Sequence, residues 1–211
     1  MNWKTKHRLS LGRTAAMPCL LLLALFFLGG VVLGQVLAGR VPDATGDELS
    51  RYLADYVRVG GSEGVSAGTA LSALVVYFRY PLLAFLLGFA SIGVVLLPCA
   101  TAAFGFFLSF SVCCFTAAFG ADGVLLALAV FGLRCAVTLP CYFLLAVPAW
   151  GKAAALASLS FGRGRRAAPV SYGSRWGLRL AVCGGVLLAG VCVDLFCSPW
   201  LLRLVLERLP V

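Results

Sequence analysis

Residues 79–152 read RYPLLAFLLGFASIGVVLLPCATAAFGFFLSFSVCCFTAAFGADGVLLALAVFGLRCAVTLPCYFLLAVPAWGK. No charged residue lies between Arg79 and Asp122, and Arg134 is the only one between Asp122 and Lys152. An apolar run of this length exceeds what the core of a water-soluble domain can hide, so hydrocarbon must be its solvent. Pro81, Pro98, Pro140 and Pro148 then decide where the run folds back. The reading is an all-α, polytopic membrane bundle formed by one integral membrane domain.

Working outward, the rest of the chain agrees. Of 211 residues, 62% are hydrophobic and 12% are charged, against roughly 25% charged in an average soluble domain. The formal net charge of +9 is unevenly placed. Lys4, Lys6, Arg8 and Arg13 precede the first apolar run, and Lys152, Arg163, Arg165, Arg166, Arg175 and Arg179 surround the last internal loop. The segment 39–80 mixes both signs instead. Basic flanks mark the cytoplasmic side, which puts the amino end inside and the mixed segment outside. The cluster Arg163–Arg166 lacks interleaved aromatics and lies between apolar spans, so nucleic acid is not the expected partner. The nine cysteines fall almost entirely in apolar runs without a C-x-x-C pair, which argues against a metal site or a disulfide framework.

The sequence places five spans at about 17–38, 81–97, 100–119, 124–150 and 177–197. The first carries Gly30-x-x-x-Gly34, a spacing that permits close helix approach. Segment 45–80 is read as extracytoplasmic and amphipathic. Thr45-Gly46-Asp47-Glu48 forms a capping box, and Leu49, Tyr52, Leu53, Tyr56 and Val57 then share one helical face. A second helix from Ser66 is expected to lie on the membrane surface beside it. Pro81 suits the first turn of the second span. A single helix over 81–119 would be ~58 Å long, nearly twice the ~30 Å of hydrocarbon, so Pro98 is expected to open a hairpin at 98–101. One span kinked at Pro140 and Pro148 keeps the basic loop 152–176 inside. Pro199 is read as the first residue of a terminal interfacial helix over 199–209.

Arg134 and Asp194 are the ionisable residues that this reading places within spans, and each is costly there alone. Helical side chains lean toward their own amino end. Span four runs inward and span five outward, so the two side chains lean to a common depth, and an interhelical ion pair is expected. No Ser/His/Asp or Cys/His set, paired intramembrane carboxylates or phosphate-cradling glycine loop occurs, so neither an enzyme nor a cofactor is expected.

Several runs together resemble the stage II sporulation protein M family of endospore-forming bacteria. They are Phe27-Leu28-Gly29-Gly30-Val31-Val32-Leu33-Gly34, Tyr52-Leu53, Leu87-Gly88-Phe89-Ala90-Ser91-Ile92-Gly93 before Leu97-Pro98, Leu139-Pro140 with Pro148-Ala149, and Asp194-Leu195-Phe196-Cys197-Ser198-Pro199. The resemblance implies a non-enzymatic membrane anchor at the sporulation septum, in the mother-cell membrane. Its implied partners are stage II sporulation proteins P and D, which cleave septal peptidoglycan during engulfment. Arg51, Asp55 and Arg58, on the polar face of the outer segment, together with Tyr52 are the candidate partner-binding residues. Homo-oligomerisation stays open. The competing class is a transporter or permease-like subunit, for which kinked helices and an intramembrane charge would be the signs.

Overall fold

The computed structural model describes residues 3–40, 67–160 and 174–206. These residues form helices joined by tight turns, with no strand among them. Helix α1 is Trp3–Ala38, α2 is Ala67–Leu87, α3 is Gly93–Phe119 and α4 is Ala121–Ala127. A π-helical segment, Leu128–Gly132, joins α4 to α5, Leu133–Ser160, and α6 is Ser174–Leu206. Five of the helical stretches are long and apolar enough to cross a membrane: Met17–Ala38, Ala70–Leu87, Gly93–Ala117, Leu133–Ser160 and Trp176–Cys197. The protein therefore has the fold of a multi-pass helical membrane protein. Large apolar side chains cover its outside, with Leu21, Leu25 and Phe196 at 70%, 68% and 77% exposure. Hydrocarbon, rather than water, is the solvent that tolerates such a surface.

Helix α5 is the central post. Its buried positions are Thr138, Cys141, Tyr142, Leu145, Ala146, Ala149 and Ala153, spaced at the three- and four-residue steps of one broad face. Tyr142, Ala146 and Ala149 meet Leu23, Ala84, Leu97, Phe104 and Trp176 in one core cluster. Cys141 and Leu145 meet Ala73, Tyr77, Cys183, Leu187 and Val191 in a second. Contacts with α1, α2, α3 and α6 all converge on it.

Two expectations about prolines are corrected. The reversal between the second and third spans lies at residues 88–92, and Pro98 sits inside α3. Short backbone bonds of the tightened three-residue kind, Gly88 to Phe85, Phe89 to Leu86 and Ala90 to Leu87 at 3.0–3.3 Å, satisfy the turn without charged side chains. Gly93 admits the Leu87 carbonyl where a Cβ would stand. A proline removes the donor that its i−4 carbonyl needs, and for Pro98 that carbonyl belongs to Val94. The indole Nε1 of Trp150 donates to Val94 O at 3.0 Å, so α3 continues through the proline. In the same way α2 contains Pro81 within it rather than starting there. The second span is thus Ala70–Leu87 rather than 81–97, and the third starts at Gly93 rather than 100.

The helix that starts near Ser66 is likewise not a separate surface element. From Ala67 it runs directly into the span, while residues 41–66 lie outside the described residues. Pro199 opens no new helix either, because α6 runs unbroken to Leu206, and 207–209 lie outside the described residues. The loop expected over 152–176 is shorter, since α5 reaches Ser160 and α6 begins at Ser174. Lys152 stands over the Trp176 ring at 4.0 Å, so both ends of that expected loop are helical. Pro140 and Pro148 lie within α5, which remains one helix.

Helices α1 and α3 run parallel and share a seam of small residues. A Cβ on Gly30 would strike the Ala102 carbonyl, and one on Gly34 would lie 2.7 Å from the Phe106 carbonyl. From the other side, Gly105 admits the Phe27 carbonyl. This is the close backbone approach that small residues permit between membrane helices. At the opposite turn, Gly120 adopts φ 62°, a conformation favouring glycine, and joins α3 to α4 as a single-residue link.

The seam makes a clean contrast between neighbouring glycines. Gly30→Val is expected to destabilise the detergent-solubilised protein by about 1–3 kcal/mol or more through overpacking. Gly29 has nothing within 4 Å of its would-be Cβ, so Gly29→Ala should be neutral or gain up to ~1 kcal/mol of helix propensity. Thermal unfolding midpoints measured side by side decide it, and matching midpoints for the two variants would show that the seam is not tight.

Candidate functional site: charged residues inside the bundle

The helix directions set the site. Helix α5 descends from the Gly120 turn and α6 returns antiparallel to it, so the start of α5 lies beside the end of α6. Arg134 Nη2 donates to Asp194 Oδ2 at 3.0 Å, with side-chain exposures of 22% and 4%. Below the guanidinium lies the ring of Tyr77 from α2, its centroid 5.6 Å from Arg134 Cζ, and Tyr77 is fully buried. Three helices therefore meet around one ion pair.

The π segment ends immediately before Leu133 and Arg134. One additional residue in a turn rephases everything downstream by about 100°. That step sets which face of α5 carries Arg134 and, one turn on, Thr138, the first residue of its buried stripe. Nothing in the local composition of Leu128-Ala129-Val130-Phe131-Gly132 announces such a segment.

The pair is incompletely satisfied. Arg134 Nε, Asp194 Oδ1, Thr138 Oγ1 and Tyr77 Oη are buried without a hydrogen-bond partner. A bidentate fork would use both carboxylate oxygens, whereas here a single guanidinium nitrogen engages a single oxygen.

A further charge belongs to this region. Arg79 lies midway along the Ala70–Leu87 span, although taking Pro81 as a helix start had placed it outside the membrane. Its Nη2 donates to Tyr80 Oη at 3.0 Å, and its Cζ lies 4.5 Å from the Tyr80 ring centroid. The sequence signal that could have revealed it is the length of uninterrupted apolar residues on both sides of Arg79. Between α2, α3 and α5 opens a cavity of about 110 Å³ whose wall includes Arg79, Tyr80, Ser111, Arg134 and Thr138. Val76, Phe104, Phe107, Leu108, Phe131 and Cys135 supply the rest of its lining.

A smaller polar link ties α3 to α5. Thr101, fully buried, has its Oγ1 2.7 Å from both the Leu97 carbonyl and Tyr142 Oη. The threonine hydroxyl donates to its own helix, which leaves Tyr142 to donate to the threonine. At the basic end, Trp176 stacks on Phe85 at 4.8 Å and 15° and packs near Phe89, forming the interfacial aromatic layer expected of a membrane protein.

Arg51, Tyr52, Asp55 and Arg58 lie outside the described residues. Among the described residues no group of three or more His, Cys, Asp or Glu side chains gathers to hold a metal. Compared with known protein families, curated proteins and solved structures, the chain matches none.

Breaking one side of a buried ion pair leaves the other charge uncompensated, so Arg134→Gln and Asp194→Asn are each expected to destabilise by about 3–5 kcal/mol. The double variant should be markedly less unstable than the sum of the two. Unfolding of the four proteins in one detergent closes the cycle, and simple additivity would mean that the two side chains do not stabilise each other.

Proposed function

We propose that the protein is a non-enzymatic membrane anchor of the stage II sporulation protein M kind, holding peptidoglycan hydrolases at the sporulation septum. The observation that carries this reading is that α1 ends and α2 begins at the end of the bundle opposite the start of α1 and the α5–α6 junction, where the sequence is basic. With basic segments on the cytoplasmic side, residues 41–66 face the septal peptidoglycan. The polar chemistry inside the bundle supports the same reading, because Thr101, Tyr142, Trp150, Arg134 and Asp194 join helices to each other. The resemblance in the runs around Gly30, Gly88, Pro140 and Asp194 supplies the partners, stage II sporulation proteins P and D.

This reading places the amino end in the cytoplasm and the carboxyl end outside, in the mother-cell membrane. Reporter fusions at the two termini are expected to report opposite compartments, and identical signals would reject the arrangement. Replacing Arg51, Tyr52, Asp55 and Arg58 with alanine should abolish co-purification of the hydrolases from sporulating cells while leaving membrane insertion intact. Undiminished recovery of both hydrolases by the inserted variant would exclude this face as their attachment.

One observation favours a permease-like subunit instead: a cavity at membrane depth lined by Arg79 and Arg134. Flux of an anion into vesicles carrying the purified protein would support that second reading.

A further inference from the structure

We propose that the cavity between α2, α3 and α5 is an oxyanion site that takes one phosphate or carboxylate group between Arg79 and Arg134. The inference holds whether or not the protein acts as a septal anchor. Three properties of the cavity wall lead to it.

The first is charge balance. Arg134 is matched by Asp194. Arg79 has no carboxylate within ion-pair distance among the described residues, and its hydrogen bond goes to the neutral Tyr80 hydroxyl. Asp194 is the one carboxylate among the described side chains and Arg134 holds it, so among these side chains the Arg79 guanidinium within the Ala70–Leu87 span has no counter-charge, which is unfavourable in a low-dielectric setting. One anionic group restores neutrality.

The second is the supply of donors. Among the described residues no acidic one lines the cavity, whereas both arginines and the hydroxyl-bearing residues Tyr80, Ser111 and Thr138 do. Ser111 already donates to the Phe107 carbonyl. Arg134 Nε and Thr138 Oγ1 are buried without partners, and Thr138 is only 4% exposed. A group rich in acceptors is what such a wall lacks, and arginine forks match the oxygens of carboxylate or phosphate.

The third is size and access. The cavity of about 110 Å³ holds a compact head group but not a whole lipid. Phe107 and Leu108 give it an apolar border, and Arg79 is exposed on the outside of the bundle. The same oxyanion chemistry can come from a lipid phosphate or from a free anion.

The test uses the full chain in phosphatidylcholine nanodiscs, with the unfolding midpoint as readout. Inorganic phosphate in the buffer is one arm, at ionic strength matched with chloride. Discs containing phosphatidic acid are the other. At least one arm should raise the midpoint of the unaltered protein. A response to phosphate assigns a free anion, and a response confined to phosphatidic acid assigns a lipid head group. Arg79→Gln should weaken the response by roughly 10- to 100-fold in ligand concentration, with Arg79→Lys falling between. If Arg79→Gln does not fold, Thr138→Val replaces it, because that change removes a buried hydroxyl and no charge. Absence of a shift in both arms overturns the site, as does a response by the folded variant equal to that of the unaltered protein.

Discussion

A carbonyl oxygen that loses its donor inside hydrocarbon cannot turn to water, and the arrangement of this bundle depends on how one such oxygen is answered. Pro98 withdraws the amide that Val94 O would have accepted, and the indole of Trp150 replaces it from a different helix. The bond does two things. It lets α3 run unbroken from Gly93, and it fixes α3 against α5 near the basic end. Thr101 and Tyr142 repeat the connection about two turns deeper. With α3 and α5 locked together, the reversal must occur earlier, at residues 88–92, and α2 is drawn into the membrane over Ala70–Leu87.

That shift reorganises the polar chemistry. With α2 moved, Tyr77 lies under Arg134 and Arg79 enters the membrane. The ion pair, the tyrosine and the cavity therefore depend on where the chain turns, and the indole bond at Val94 holds α3 just beyond that turn. The π segment acts on the same region from the other side by setting the phase of α5 just before Arg134.

Much of this architecture is legible in the sequence because membrane solvation leaves few choices. Long apolar stretches must become helices, and the count of five crossing helices follows from their lengths. Arg134 and Asp194 could be assigned a common depth because side-chain lean depends only on helix direction, and the structure brings them to 3.0 Å. Proline is where local reading stops. Pro18, Pro81, Pro140 and Pro148 all lie within helices, and for Pro98 the donor that answers the freed carbonyl lies 52 residues further along the chain. Arg79 was misplaced for the same reason, since a proline two residues later suggested a helix start. The π segment leaves no compositional trace, and Thr138 gains its interest only from the unpartnered hydroxyl that folding buries.

Helix α1 stands apart from this logic. The interhelical hydrogen bonds described above join α3 to α5 and α5 to α6, while α1 meets α3 through a close-packed seam around Gly30, Gly34 and Gly105. Its 22-residue crossing segment carries no charged residue, and its one amide side chain, Gln35, is exposed near the carboxyl end of the helix. The ribosome releases this helix before the others, yet the ion pair and the interhelical hydrogen bonds described above close without it. It can wait alone in lipid during biosynthesis and dock after its partner has been threaded into the bilayer.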